Sequence, residues 1–194
     1  MLSRRTFIKS ALASNIAILA TPSLALQQVL TSSQDIPLLV FADDHAINSK
    51  NFISKVEDKN SNIDLDIGQH FDLLRKFCKE SPNGQITGLT RDSDFFVLEQ
   101  IAKDFGFYVQ YSATHRYTDG TLVHEVSTSE ESAELIASSL KNAKSQWPQW
   151  LANNMRILPR GNSEFTTTKT ELSIPDAEQH DFLVSWSLSS PKHI

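Results

Sequence analysis

A short, almost uninterrupted apolar run, Ile36 to Ala42, restricts the possible folds of this chain more than any other stretch. Apolar runs of this length without polar alternation are typical of strands that are buried on both faces, as in parallel sheets covered by helices. The polar residues Asp43, Asp44 and His45 end the run. Because such a strand needs helices on both sides of its sheet, the run predicts a layered α/β fold.

The segments that follow alternate between strand and helix patterns as far as residue 111. Apolar residues recur at helical spacing before Pro82 and again before Gly106, and the sequence Thr118-Asp119-Gly120 predicts a hairpin. Thr128 to Glu131 have the pattern of a capping box that opens a helix. The predicted helices cover about 46–58, 71–81, 95–105, 128–142 and the region from 148; the predicted strands cover 63–67, 85–90, 107–117, 121–127, 165–174 and 182–188. We therefore expect one α/β domain over residues 36–190 with a mixed, partly parallel sheet.

The first 25 residues have the organisation of an export signal. The basic residues Arg4, Arg5 and Lys9 precede a weakly apolar stretch, and small residues favour cleavage after Ala25. The sequence Ser-Arg-Arg-Thr-Phe-Ile-Lys, with its aromatic Phe7, resembles the twin-arginine (Tat) signal of exported bacterial proteins. This resemblance implies passage through the Tat translocase in folded form and a periplasmic location. We interpret residues 26–35 as a mobile leader.

Charge and cysteine content exclude several classes of function. The chain has 18 Lys and Arg against 23 Asp and Glu, so removing the three bases of the signal leaves a net charge of −8. That balance argues against nucleic acid or an anionic membrane as the main partner. The apolar part of the signal is interrupted by Ser14 and Asn15, so we expect no stable membrane anchor. Cys78 is the only cysteine, which excludes an intramolecular disulfide.

Two polar loops follow predicted strands. Asp43, Asp44 and His45 follow the first strand, and residues 90–94 follow the strand at 85–90. Ligands of open α/β sheets bind beyond the carboxyl ends of parallel strands, so the loops converge on one site if these strands are neighbours. The carboxylates of the two loops suit a divalent metal such as Mg²⁺ or Ca²⁺, and His45, His115 or His124 would add a ligand for zinc or iron. The metal candidates are Asp43, Asp44, His45, Asp92 and Asp94.

The carboxylates also have an ordinary interpretation, in which Asp92 or Ser93 caps the following helix and the others are solvated. Arg91 lies beside the predicted start of that helix, where a guanidinium and backbone N–H groups together favour a carboxylate or phosphate. The alternative for Arg91 is a surface ion pair with Asp92 or Asp94. His115 and Arg116 place a potential base next to a cation, with a structural histidine as the alternative. The ligand-binding candidates are Thr90, Arg91, Ser93, His115 and Arg116.

Two functions follow from these patterns. The first is a non-catalytic periplasmic protein that binds a small anion or accompanies a cofactor-bearing exported oxidoreductase as an accessory small subunit. The second is a small metal-dependent hydrolase that uses the Asp/His cluster at the carboxyl edge of the sheet. The sequence contains no nucleophile elbow, phosphate loop or dinucleotide-binding glycine pattern, so it leaves open whether the chain is an enzyme.

Overall fold

A computed structural model of the chain describes residues 36–56, 61–62, 67–159, 164–174 and 182–190. The predicted signal over residues 1–25 and the leader over 26–35 lie outside the described residues, and with them Arg4, Arg5, Phe7, Lys9 and the cleavage point after Ala25. No helix in the described ranges is long and apolar enough to cross a membrane.

The described residues form seven strands and five α-helices, with 3-10 turns at 144–146 and 155–157. The strands are β1 (Leu38–Ala42), β2 (Ser61–Asn62), β3 (Gln85–Thr90), β4 (Tyr108–Thr118), β5 (Thr121–Ser129), β6 (Phe165–Ser173) and β7 (Phe182–Ser189). The helices are α1 (Ile47–Ile53), α2 (Ile67–Glu80), α3 (Asp92–Lys103), α4 (Glu130–Ala143) and α5 (Trp147–Asn154).

All seven strands belong to one sheet, in the order β2-β1-β3-β7-β4-β5-β6. The β1 strand pairs in parallel with both β2 and β3, whereas every other neighbouring pair is antiparallel. The last strand, β7, therefore lies between β3 and β4, in the middle of the sheet. This arrangement confirms the predicted α/β fold with a mixed, partly parallel sheet.

The two faces of the sheet carry separate hydrophobic clusters. Successive β1 side chains alternate between them, with Leu38 and Val40 in one cluster and Leu39 and Phe41 in the other. The first cluster includes side chains of α1, α4 and α5, and the second includes side chains of α2 and α3. Because helices cover both faces at β1, its sequence has no polar alternation.

The described helices cover the β4–β6 half of the sheet on one face only. Its residues alternate between the cluster under α4 and α5 and an opposite face that is polar and largely exposed. The turn joining β4 to β5 has positive φ angles at Asp119 (48°) and Gly120 (71°), the conformation of a tight hairpin turn. The Asp-Gly signal in the sequence therefore predicted this connection correctly.

The strand predicted over 63–67 lies outside the described residues except at Ile67, where α2 begins, and the described strand before it is β2 (Ser61–Asn62). One local prediction was wrong. The capping box predicted from Thr128 does not form, since Ser129 is the N-cap of α4 and makes no side-chain capping bond. Thr128 instead belongs to β5, and its hydroxyl donates to the carbonyl of Gln110 at 2.8 Å.

Candidate functional site

The crevice at the carboxyl ends of β1 and β3 is the site that the topology favours. These strands are parallel neighbours, and the helices that follow them, α1 and α3, pack on opposite faces of the sheet. The two connections therefore leave toward opposite faces of the sheet, which is the topology of the switch points where α/β proteins bind ligands, and we call the place between them the crevice. Asp43 is the first residue after β1, and Arg91 is the first after β3.

Asp43 and Arg91 join the two loops directly. The Asp43 N–H donates to the carbonyl of Leu89 at 3.2 Å, and Asp43 Oδ1 accepts the N–H of His45 at 2.8 Å. Asp43 Oδ2 lies 2.8 Å from Arg91 Nε, in an ion pair whose carboxylate side chain is 5% exposed and whose guanidinium side chain is 58% exposed. The predicted convergence of the loops is thus present, although the ion-pair partner of Arg91 is Asp43, not Asp92 or Asp94.

The second oxygen of Asp43 is incompletely satisfied. Although Oδ2 is within ion-pair distance of Arg91, it accepts no well-aligned hydrogen bond from any described residue. A buried carboxylate oxygen without an aligned donor is unfavourable by about 1–3 kcal/mol or more. Because this atom is buried, the Asp43 carboxylate acts on a ligand through its charge and by holding Arg91, not by direct contact.

Asp94 lies close enough to share the electrostatics of this pair. Partial burial raises the pKa of Asp94 above its usual value, and the charge of Asp43 raises it further. The Arg91 charge, the Arg91 backbone and the Ser93 side chain act in the opposite direction on that pKa. Arg91 is the N-cap of α3, so Asp94 in the first turn reaches back to it, as the acidic residue of a capping box does.

Thr90 completes the support of this loop. Its hydroxyl accepts the indole N–H of Trp186 at 3.0 Å and donates to the carbonyl of Arg91 at 3.1 Å. Thr90 is fully buried at the end of β3, so we assign it the role of holding the Arg91 backbone. The predicted candidates Thr90, Arg91 and Ser93 are thus together in the crevice with Asp43 and Asp94.

The metal candidates do not assemble into a ligand set. Asp43 directs its oxygens to His45 N–H and Arg91, and Asp44 pairs with the His45 ring at 3.2 Å on the surface. Asp92 is exposed in the first turn of α3. In the part of the chain that the structure describes, no three His, Cys, Asp or Glu side chains are grouped so that they could hold a metal ion.

His115 and Arg116 lie on β4, away from the crevice, and point to opposite faces of the sheet. Arg116 is exposed on the polar face, whereas His115 is only 1% exposed in the core. His115 Nδ1 lies 2.6 Å from His124 Nδ1, and His115 Nε2 lies 2.7 Å from Ser185 Oγ. The Ser185 hydroxyl continues the chain to the Tyr111 hydroxyl at 2.8 Å.

The sequence interpretation did not pair His124 with His115 and did not include Ser185. A signal for His124 was present, because a two-residue turn at 119–120 places residue 115 directly opposite residue 124 across the hairpin. No local pattern indicates Ser185, which reaches His115 from β7 on the other side of β4.

The buried histidines are neutral. Burial and the neighbouring His124 ring lower the pKa of His115 well below its usual value, and burial lowers the pKa of His124 to about 4. Among the described residues, His124 Nε2 has no hydrogen-bond partner. A bare ring nitrogen is tolerated better there than an unpaired N–H, so we assign the His124 proton to Nδ1, donating to His115.

Ser185, His115 and His124 have the order of a nucleophile, a base and an orienting group. All three are nevertheless buried, with exposures of 0%, 1% and 0%. The Trp147 ring stacks on His115 with centroids 4.0 Å apart and closes the cluster. A substrate has no access to the serine, so this network is structural. The Cys78 thiol is also buried, which raises its pKa to about 11 and makes it a poor nucleophile.

No family model matches the chain, and no curated protein or solved structure is similar to it at a significant level. The assignment of a site therefore depends on the geometry of the crevice.

Proposed function

We propose that this chain is an exported, non-catalytic binding protein that takes a small zwitterion, a molecule carrying both an ammonium and a carboxylate, in the crevice between β1 and β3. The observation that carries the proposal is the Asp43–Arg91 ion pair at the switch point of the sheet. It combines a buried carboxylate with a guanidinium that is 58% exposed and therefore accessible to a ligand.

Each charge of such a ligand has a complementary group. The negative charge of Asp43 attracts a ligand ammonium, and Asp94, which is only partly buried, can accept a hydrogen bond from it. A ligand carboxylate can bind the terminal nitrogens of Arg91 and the first-turn N–H groups of α3 beside Ser93, because guanidinium nitrogens and a helix N-terminus both favour anions. This arrangement gives a role to the predicted anion-binding residues and to the acidic residues around them.

A purely anionic ligand has less support. Four carboxylates, those of Asp43, Asp44, Asp92 and Asp94, surround the single guanidinium of Arg91 in these two loops. The local charge is therefore negative, and a ligand that brings no positive charge meets net repulsion. The excess of carboxylates is the reason for proposing a zwitterion in place of a simple carboxylate or phosphate.

Binding is favoured over metal-dependent hydrolysis because the oxygens of Asp43 already contact Arg91 and a backbone N–H.

Tat-dependent export to the periplasm is part of the proposal, and the sequence of the first 25 residues supports it. A role as accessory subunit of an exported oxidoreductase and the metal-dependent hydrolase both stay predictions.

The test is calorimetric titration of the purified protein with three matched ligand sets: amino acids, simple carboxylates and simple amines. We expect measurable binding only for the amino acids. Asp43→Asn and Arg91→Gln should each weaken binding by about tenfold or more, because each removes a charge-assisted hydrogen bond of about 1.5–3 kcal/mol. Arg116→Gln, which removes an exposed arginine from β4, is the matched control and should leave binding unchanged.

Circular dichroism and urea unfolding of each variant separate a lost contact from a lost fold. Asp94→Asn provides a milder second variant, since Asp94 is only partly buried and should mainly weaken ammonium binding. Carboxylates that bind as tightly as amino acids would favour the simple anion site. A complete absence of binding would refute the proposal, and hydrolysis that appears only with added Mn²⁺ or Zn²⁺ would favour the hydrolase.

A further inference from the structure

The outer edge of β6 is a second candidate binding surface, formed by the backbone of an edge strand. Within the described residues, β6 pairs with β5 on one side and with no strand on the other. It is nine residues long and contains four threonines, at positions 166, 167, 168 and 170, which favour extended structure. A long, exposed strand edge presents unpaired backbone N–H and C=O groups to another chain.

The charges on β6 determine which register a second strand can take. Lys169 and Glu171 point to the same exposed face, and their side chains form an ion pair of 2.7 Å. In an antiparallel pair of identical strands, the residue at the two-fold axis lies opposite itself. An axis at Thr170 places Lys169 opposite Glu171 of the other copy, twice. An axis at Lys169 or Glu171 places like charges opposite each other.

We propose that two copies of this chain associate through β6, antiparallel and centred on Thr170. The seven residues from 167 to 173 of each strand then pair, and the sheet continues across both copies. Each Glu171 lies between the Lys169 of its own strand and the Lys169 of the other copy, so the four side chains form a closed ring of alternating charge. Direct cross-strand pairs of opposite charge are favourable, and like charges in the same place are unfavourable.

The surroundings of β6 are compatible with this pairing. Helix α4 packs on the inner face of β5 and β6, and Lys141 near its end adds positive charge close to Glu171. The crevice between β1 and β3 lies toward the opposite end of the sheet, so the dimer leaves both crevices open. Because seven backbone pairs and four exposed charges make a small interface, we expect a dimer dissociation constant in the micromolar range. The dimer should become tighter as the salt concentration is lowered.

The test is sedimentation velocity over a concentration series. The wild-type chain should form dimers, and K169E and E171K should each remain monomeric, because each places two like-charged pairs across the axis. An equimolar mixture of K169E and E171K should dimerise again, since one strand then carries two negative charges and the other two positive charges. R116E, a charge reversal on β4 of the same face, is the control and should dimerise like the wild type.

Circular dichroism verifies that each variant is folded before it is compared. A wild-type chain that stays monomeric at all soluble concentrations would overturn the proposal, as would K169E and E171K variants that dimerise alone. A mixture that remains monomeric would overturn the proposed register. Amino-acid titration of K169E tests the crevice independently, because it should bind ligand as the wild type does.

Discussion

His115 and His124 bring two ring nitrogens to within 2.6 Å of each other in the core. Only one proton fits between them. The Trp147 ring packs against both histidines, and among the described contacts of the two rings there is no carboxylate. Protonating either ring would place an unpaired positive charge in this environment, which is strongly unfavourable. The stability of the fold therefore depends on the protonation state of these two residues.

We expect the free energy of unfolding to decrease as the pH falls from about 6.5 to about 4. The pKa of His124 is about 4 in the folded chain against an ordinary value of 6.5, so the unfolded chain binds more protons over this range. Protonation then favours unfolding, and the stabilisation is complete only above the unfolded pKa. The expected loss from His124 alone is about 3 kcal/mol by pH 4, measured by urea unfolding at several pH values.

His124→Gln should flatten this pH dependence, because glutamine keeps a donor for His115 but does not titrate in the range. Arg116→Gln is the control, since Arg116 is exposed on the opposite face of β4, and it should leave the slope unchanged. If His124→Gln unfolds with the same pH dependence as the wild type, His124 is not the group responsible.

Individual residues of the crevice were predictable to different degrees. The meeting of Asp43 and Arg91 followed from their positions after two strands that the sequence indicated as parallel. The choice of Asp43 as ion-pair partner did not follow, because it depends on the direction in which α3 leaves β3. The His115–His124 contact was not predicted, although the hairpin register contains it, and its burial depends on α5 and Trp147, which are distant in sequence.

At the level of elements, β3 and β7 fit together through a residue without a side chain. Gly88 lies opposite Trp186, whose ring stacks with Phe41 and Phe95 at centroid distances of 6.1 Å and 5.4 Å. A Cβ at position 88 would lie 2.7 Å from Trp186 Cζ2 and 2.8 Å from the Phe41 carbonyl oxygen. The close approach of this ring to the backbone therefore requires glycine.

Gly88→Ala should destabilise the chain by about 2–3 kcal/mol, because the added carbon forces a buried ring or a strand to move. Gly106→Ala is the comparison: it has nothing within 4 Å of an added Cβ, but its φ of +78° is strained for alanine. It should cost about 1–2 kcal/mol. The measurement is urea unfolding monitored by tryptophan fluorescence, and equal losses in the two variants would contradict the packing argument.

Elements were easier to predict than their ends. The residues of α2 and α3 recur at helical spacing, and both helices are present. The start of α4 was displaced because Thr128 pairs with Thr166 in the sheet, a contact that a local capping pattern does not contain. Pairing within the sheet thus outweighed the local capping pattern.

For the whole molecule, the strand order could not be read from the sequence. Alternating segments indicated a mixed sheet, but the position of β7 depends on pairing with β3 and β4, which are about 70 to 100 residues earlier in the chain. β7 contributes Leu183, Val184, Trp186 and Leu188 to the two hydrophobic clusters. It is therefore the strand that connects the parallel part of the sheet to the antiparallel part.

A chain that ends after Ile174 should lose cooperative unfolding, because the β1–β3 and β4–β6 parts then have no strand between them. The expected result is a shallow urea transition and rapid exchange of amide hydrogens in both parts, compared with the full chain under the same conditions. A shortened chain that keeps a sharp transition would show that β7 is dispensable for the fold.

The central place of β7 also gives the fold an order in time. The parts β1–β3 and β4–β6 precede Phe182–Ser189 in the chain, so both are synthesised before the strand that joins them. A chain released between these two points has the other described strands but no strand to join them. Each part then exposes a backbone edge, on β3 and on β4, that β7 covers in the full fold, so interrupted synthesis would leave a sheet open to pairing with other chains.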